Sequence, residues 1–287
     1  VTGVQTCALP ISARTLAALH ARHGTTSLLA TTMTARLADI EAALRALAPL
    51  GRERAPGTAR ILGVHLEGPY ISPERLGAQP AYARGPSLDE IRALHAIAPL
   101  RLVTLAPEVE GMLALIPALV GMGLRVQLGH TGATYEQATE AMAQGASGYT
   151  HLFNAMTVLH HRLPGAVGAA LAHGQHAELI PDLLHVHPGA IHVARRAIPG
   201  LFCVTDATAA AGMPDGDYKL GRQTVHKCMG GVRLADGTLA GSTLTMDVAL
   251  RNLVSLGLPL AEASARCSSV AADYLGLPER GRLRSEE

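Results

Sequence analysis

Four residues able to support hydrolysis at a metal ion stand at the ends of apolar runs of strand length. Glu67 closes Ile61-Leu62-Gly63-Val64-His65-Leu66, and Gly68-Pro69 then forces a tight exit. His130 ends the run Arg125-Val126-Gln127-Leu128-Gly129, His151 follows Tyr149-Thr150, and Asp206 ends Leu201-Phe202-Cys203-Val204-Thr205. A buried parallel strand reads as such a continuous apolar run, and ligands collect where parallel strands run out. Two neutral imidazoles and one carboxylate (His130, His151 and Glu67) make up the ligand set of an open catalytic zinc site, with a position left for water. Zinc or iron(II) suits these nitrogen and oxygen donors, whereas calcium and magnesium fit poorly.

Each residue taken alone also has a plain structural reading. Glu67 could be a surface carboxylate at a turn, and His130 and His151 hydrogen-bonded core or turn histidines. Asp206 could cap the turn that Asp206-Ala207-Thr208 would make. Hydrolysis at a metal, however, needs a group that takes a proton from water and returns it to the leaving group, and Asp206 is placed for that task. His185, within Pro181-Asp182-Leu183-Leu184-His185-Val186-His187-Pro188, is a candidate donor to a carbonyl oxygen or else a strand-end surface residue. Arg162 with Asn154 is either an anion clamp, its guanidinium fork matched to a phosphate, or part of a solvated loop.

The elements that would position these residues follow one another in a regular rhythm. A helix is expected from about 13 to 23, ended by Gly24, with a strand over Thr25 to Thr32. Leu37, Ile40, Leu44 and Leu47 give one apolar face to a helix over about 35–47. The Glu67 strand is followed by a long Pro- and Gly-rich loop from Ile71 to Ser87, and loops of that length at a strand end are usually functional. Helices are expected over about 88–97 and 110–122, with a short strand over 102–105 between them. After His130, Thr134 with Gln137 three residues on is a capping box that starts the next helix. Strand Tyr149 to Leu152, a Gly/Ala-rich helix to about 172, a weak strand over Ala177 to Val186 and a helix over 187–197 lead into the Asp206 strand. Asp215-Gly216, Gly230-Gly231 and Asp236-Gly237 mark a β-hairpin excursion over about 215–240, and two helices, about 244–256 and 261–275, close the chain. This is the period of βα units. The expected fold class is α/β, a TIM (β/α)8-type metal-dependent hydrolase barrel, with about seven strands before the excursion and therefore one short of closure.

Composition narrows the partners. The chain has 287 residues, 48% of them hydrophobic and only 16% charged, which suits a packed domain without disordered bulk. Its formal charge of +1, with no basic stripe interleaved with aromatics, argues against nucleic acid. Apolar runs stop short of a membrane span. Cys7, Cys203, Cys228 and Cys267 show no CxxC or framework spacing, as expected of a reducing cytoplasm. Most of the 14 histidines read as turn caps and surface decoration. The opening VTGVQTCALPI lacks the basic segment and clean apolar core of a signal peptide. Residues 1–12 are read as a non-native leader and 13–287 as the barrel domain.

The ordered segments GVHLEGPYIS, LAPE, LGHTGAT, THLFNAM, RLPG, DLLHVHP, VTDAT and GTLAGSTLTM resemble the N-acetylglucosamine-6-phosphate deacetylase family of the amidohydrolase superfamily. The resemblance runs from about Gly24 to Leu283. It implies that Glu67, His130 and His151 bind a divalent metal, Zn²⁺ or another such as Fe²⁺, that Asp206 is the acid/base, and that His185 polarises the amide carbonyl. It implies substrate contacts at Ala78, Gln79, Asn154, Ala155, Arg162, His185, Leu239, Ala240 and Gly241. It also implies an amino-sugar phosphate as ligand and a homodimer with the Arg162 loop near the neighbouring subunit.

Two departures qualify the match. Gln79 stands where many members carry His. The family's first barrel strand, with an HxH metal pair in many members, its small β domain and its final β segment have no counterpart here. The chain is therefore expected to be an internal fragment with an exposed barrel edge, and a poorly behaved enzyme as it stands. The competing readings are an N-acetylgalactosamine-6-phosphate deacetylase, a cyclic-amide hydrolase, and a non-catalytic sugar-phosphate binding protein.

Overall fold

The computed structural model describes residues 10–283. The βα rhythm read from the sequence is present: α1 (Pro10–Arg22), β1 (Ser27–Thr32), α2 (Leu37–Arg52), β2 (Arg60–Glu67), α3 (Leu88–Ile97), β3 (Leu100–Leu105), α4 (Met112–Gly121), β4 (Arg125–Leu128), α5 (Tyr135–Ala143), β5 (Gly148–Tyr149), α6 (Gly165–His173), β6 (His176–Leu179), α7 (Pro188–Ala197) and β7 (Gly200–Cys203). Strands β1 to β5 form one parallel sheet in sequence order, and β6 and β7 form a separate parallel pair. Among the described residues, seven βα strands thus precede the excursion, in line with the sequence count of about seven. Among the described residues no ladder joins β5 to β6 or β7 to β1, so the architecture is an α/β fold with parallel strands rather than a closed ladder.

Both faces of the sheet are covered, which is why β2 and β3 are buried along most of their length. One apolar cluster packs the sheet against the helices, through Leu44 and Leu47 of α2, Ile91 and Leu94 of α3, and Ile116 and Leu119 of α4. A second lies on the opposite face, where Leu29, Leu102, Phe202 and Tyr274 meet. Above it runs a polar layer. Thr31 Oγ1 lies 3.3 Å from His65 Nδ1, His65 Nε2 2.7 Å from Thr104 Oγ1, and Thr104 2.6 Å from Thr150, which donates to Gln127 Oε1 at 2.8 Å. Burial lowers His65 to about 4, so this imidazole is neutral in the layer.

Several boundaries differ from the sequence reading. Helix α1 begins at Pro10, inside the stretch read as leader, and residues 1–9 of that stretch lie outside the described residues. Strand β6 ends at Leu179, so Asp182 and His185 stand on a loop, and β5 is only two residues long. The excursion is a three-stranded antiparallel meander, β8 (Gly216–Leu220), β9 (Gln223–Cys228) and β10 (Gly231–Arg233), rather than a single hairpin. It closes its own small core around Leu220, Val225 and Val232. After α8 (Met246–Ser255), the last expected helix breaks at Ser268 into α9 (Leu260–Cys267) and α10 (Ser269–Tyr274). At Ser268 the backbone leaves helical geometry, with φ −142° and ψ −83°.

Candidate metal centre and its cavity

The C-terminal ends of the strands open into a cavity of about 360 Å³, within the range of small-ligand sites. Glu67 is the last residue of β2, and His130, His151 and Asp206 follow β4, β5 and β7 within a few residues. These last three adopt left-handed backbone angles, φ 49°, 32° and 48°, which swing each side chain off its strand axis. Such angles cost on the order of 1–3 kcal/mol each and persist only where the surroundings enforce them. Gly68 turns the chain sharply after Glu67: its φ is 72°, and a Cβ there would come within 2.0 Å of Thr34 Oγ1. Gly129 plays the matching part before His130, since a Cβ would meet Thr104 and Thr150 at 2.8 Å.

Glu67, His130 and His151 converge, each buried, with one ligand-competent atom apiece within 4.8 Å of the others. His130 Nε2 is 3.0 Å from Glu67 Oε1 and 3.1 Å from His151 Nε2, and His151 Nε2 is 3.4 Å from the same carboxylate oxygen. The tautomer of His130 is fixed from outside. Its Nδ1 lies 2.8 Å from the Arg75 carbonyl, which can only accept, so Nδ1 carries the proton and Nε2 presents a lone pair. A lone pair and an ionised carboxylate facing each other in a buried site need a cation or a proton between them. That requirement, together with the donor chemistry, fits a divalent metal bound by these three residues.

The electrostatics follow from burial and from the charge of Glu67. Burial opposes ionisation of Glu67, yet the adjoining His130 and His151 imidazoles hold its carboxyl well below the usual range. Burial likewise disfavours a charged His151, but the hydrogen bond and charge of Glu67 outweigh it and take the imidazole to about 9. Asp206 behaves oppositely. Burial first, then the negative charge of Glu67, push its carboxyl up to about 6. His185 faces the same cavity, and its Nδ1 lies 2.6 Å from Asp182 Oδ2. The same bond keeps the Asp182 carboxyl below its ordinary value despite burial.

The sequence-derived contact residues divide into two groups. Ala78, Gln79, Asn154, Ala155, Leu239 and Gly241 line the cavity, whereas Ala240 is buried in the core of the meander and Arg162 lies on the surface outside the lining. Asn154 spends Nδ2 on the carbonyls of His151 and Leu152, at 3.1 and 3.3 Å, so its remaining Oδ1 suits a hydroxyl better than a phosphate. Arg162 Nη1 lies 2.7 Å from His161 Nε2. Among the described residues, the Lys or Arg that lines the cavity is Arg75, which sequence reading passed over. Its signal was its place in the long loop after Glu67.

Two carboxylates, the half-buried Glu108 and the buried Glu178, were given no role by the sequence reading. Glu108, the acid of the LAPE segment, accepts from Thr131 Oγ1 and the Gly132 amide, each at 2.5 Å, and so fixes the turn after His130. Glu178 of β6 accepts from the His151 amide at 3.4 Å, and burial raises its carboxyl to about 7.

Comparison with known proteins agrees with this geometry. No protein-family model matches the chain. It is 42% identical over 271 residues to the N-acetylglucosamine-6-phosphate deacetylase of Lysinibacillus sphaericus, covering 91% of this chain and 69% of that protein. It is 45% identical to the N-acetylgalactosamine-6-phosphate deacetylase of Escherichia coli O157:H7, covering 91% of this chain and 71% of the relative. Its fold matches a mutant N-acetyl-D-glucosamine-6-phosphate deacetylase of Mycobacterium smegmatis, solved in complex with N-acetyl-D-glucosamine-6-phosphate. That match has a TM-score of 0.85 and 37% identity, over 96% of this chain and 77% of that one.

Proposed function

Since the chain belongs to the N-acetylglucosamine-6-phosphate deacetylase family, we propose that it hydrolyses the acetamide of N-acetylglucosamine 6-phosphate to glucosamine 6-phosphate and acetate. The observation that carries this reading is the convergence of Glu67 Oε1, His130 Nε2 and His151 Nε2 in the cavity that also holds Asp206 and His185. Glu67, His130 and His151 would hold a divalent ion, zinc by its donor set, which would supply Lewis acidity to the acetamide carbonyl and to water.

The remaining steps belong to the chain's own side chains. Asp206 takes the proton of the attacking water and hands it to the departing amine, a double duty that a carboxyl poised at about 6 suits. Asp182 accepts from Nδ1 of His185 and fixes the imidazole at the cavity, where it serves to polarise the carbonyl oxygen. Asn154 Oδ1 orients a sugar hydroxyl, and Arg75 meets the 6-phosphate from within the same chain.

Support for a homodimer comes from the loop after His151. Val158, Leu159 and Leu163 are 71%, 54% and 75% exposed, and flank Arg162 as an apolar rim would flank a shared contact. In that arrangement Arg162 reaches the neighbouring subunit's cavity rather than its own. The parallel strands are read as part of a (β/α)8 barrel, and residues 13–287 as its domain.

The test is Asp206→Asn. It is expected to bind metal as the wild type does and to lose at least the ~10²- to 10⁴-fold that one general acid or base contributes. Acetate release above about a tenth of the wild-type rate would take the acid/base role away from Asp206.

A further inference from the structure

Gln79 touches the metal centre more closely than a substrate contact would need to. The Thr34 backbone N–H donates to Gln79 Oε1 at 2.8 Å, and Gln79 Nε2 donates to Glu67 Oε1 at 3.0 Å. A backbone N–H can only donate, so the Gln79 carbonyl must face Thr34 and its NH₂ must face the carboxylate. The flipped amide would oppose donor to donor and acceptor to acceptor. Both ends of this tie are themselves anchored. Thr34 is fully buried against Gly68. The Gln79 backbone N–H donates to the Leu76 carbonyl at 2.8 Å, and Gln223 of β9 holds the neighbouring Ala78 carbonyl at 3.0 Å.

The oxygen that receives Gln79 is the one facing both imidazoles, 3.0 Å from His130 Nε2 and 3.4 Å from His151 Nε2. Each carboxylate oxygen offers about two lone-pair directions. One is occupied by the Gln79 donor, and the other is left aimed between the two histidines. We propose that Gln79 is a positioning residue for the metal centre: it pins Glu67 as a single-oxygen ligand directed at the space between His130 and His151. Gln79 then acts through Glu67, although it also lines the cavity. The inference rests on the metal-centre reading given above.

The test compares zinc affinity of the metal-free wild type, Gln79→Leu and Gln79→Met by competition with a chromophoric chelator. Visible absorption of the cobalt-loaded forms and thermal unfolding of the metal-free forms are read alongside. Met keeps the length of the side chain should Leu disturb the loop. The expected result is a ten- to hundredfold loss of zinc affinity, the usual cost of removing a partner that orients a ligand. Shifted cobalt bands and unchanged metal-free melting should accompany it. Wild-type zinc affinity and cobalt spectrum in both variants, with only the substrate KM altered, would overturn the proposal and make Gln79 a substrate contact. A wild type that binds no zinc would instead refute the metal centre, and this inference with it.

Discussion

At the scale of single residues, the chemistry rests on where charges are placed and what holds them. Arg75 and Arg162 show how placement decides a role that residue type leaves open. Both are arginines in loops after strand ends, but Arg75 lines the cavity of its own chain and Arg162 does not. Arg75→Ala is therefore expected to raise KM for N-acetylglucosamine 6-phosphate tenfold or more, since a charge-assisted hydrogen bond contributes about 1.5–3 kcal/mol. KM for the unphosphorylated sugar should barely move. Arg162→Ala should act on the phosphorylated substrate only through a paired subunit, so its effect should fade on dilution below the dimer dissociation constant. Equal effects of Arg75→Ala on both sugars would remove it from phosphate recognition. The placing of Glu67, His130, His151 and Asp206 at strand ends was legible in the sequence because each ends an apolar run. Gln79 over Glu67 and the Asp182–His185 pair were not, because the partners of such contacts come from separate segments or from a loop read as strand. Thr34 and Gln79 lie 45 residues apart.

At the scale of elements, helices and loops hold the strand ends in register. The loop from Ile71 to Ser87 is tied at both ends: Ser72 N–H donates to the His130 carbonyl at 2.9 Å, and Arg84 reaches the Ala35 carbonyl at 3.0 Å. Its length was plain in the sequence; its rigidity depends on Arg84, Glu90 and Gln223, which no local pattern connects. A comparable clamp joins α7 to α9, where Arg195 Nε donates to Glu262 at 2.7 Å and Arg266 holds both Glu262 and the Leu201 carbonyl of β7. The Arg195 bond, then Arg266, holds the Glu262 carboxyl at about 2. A carboxyl depressed on folding adds stability above its unfolded value of 4.5, and that stability is lost as pH falls toward about 2. Glu262→Gln should cost about 1 kcal/mol at pH 7 and flatten the acid limb of stability between those values. Urea unfolding at pH 7 and pH 3 measures it, and an equal cost at both pH values would exclude the linkage.

At the scale of the whole molecule, the decisive feature is that, among the described residues, one ladder runs unbroken from β1 to β5 while β6 and β7 form a separate pair. The α/β class and the count of seven strands followed from the spacing of apolar runs. The meander and the break at Ser268 did not, because turn signals mark where a chain bends without saying how many strands form between bends. Between β1 and β7, Leu28, Leu29, Cys203, Cys267 and Ala271 line a second cavity of about 110 Å³, and Arg280 closes over it to Ser27 Oγ at 3.0 Å. Amide hydrogen exchange should find β3, paired on both sides, the slowest of the strands, with β1 and β7 faster by orders of magnitude. Uniform protection across all seven would show that the seam is as tight as the sheet. Among the described residues no helix is long and apolar enough to cross a membrane.

The central claim is that three converging ligands make this chain a metal-dependent deacetylase. Its most direct test is acetate release from N-acetylglucosamine 6-phosphate by the chain stripped of metal and then titrated with zinc. Turnover should be absent in the stripped protein, rise in proportion to added zinc, and level off at one equivalent per chain, with His130→Ala inert throughout. Acetate release that is indifferent to metal, or that persists in the His130→Ala variant, would contradict it.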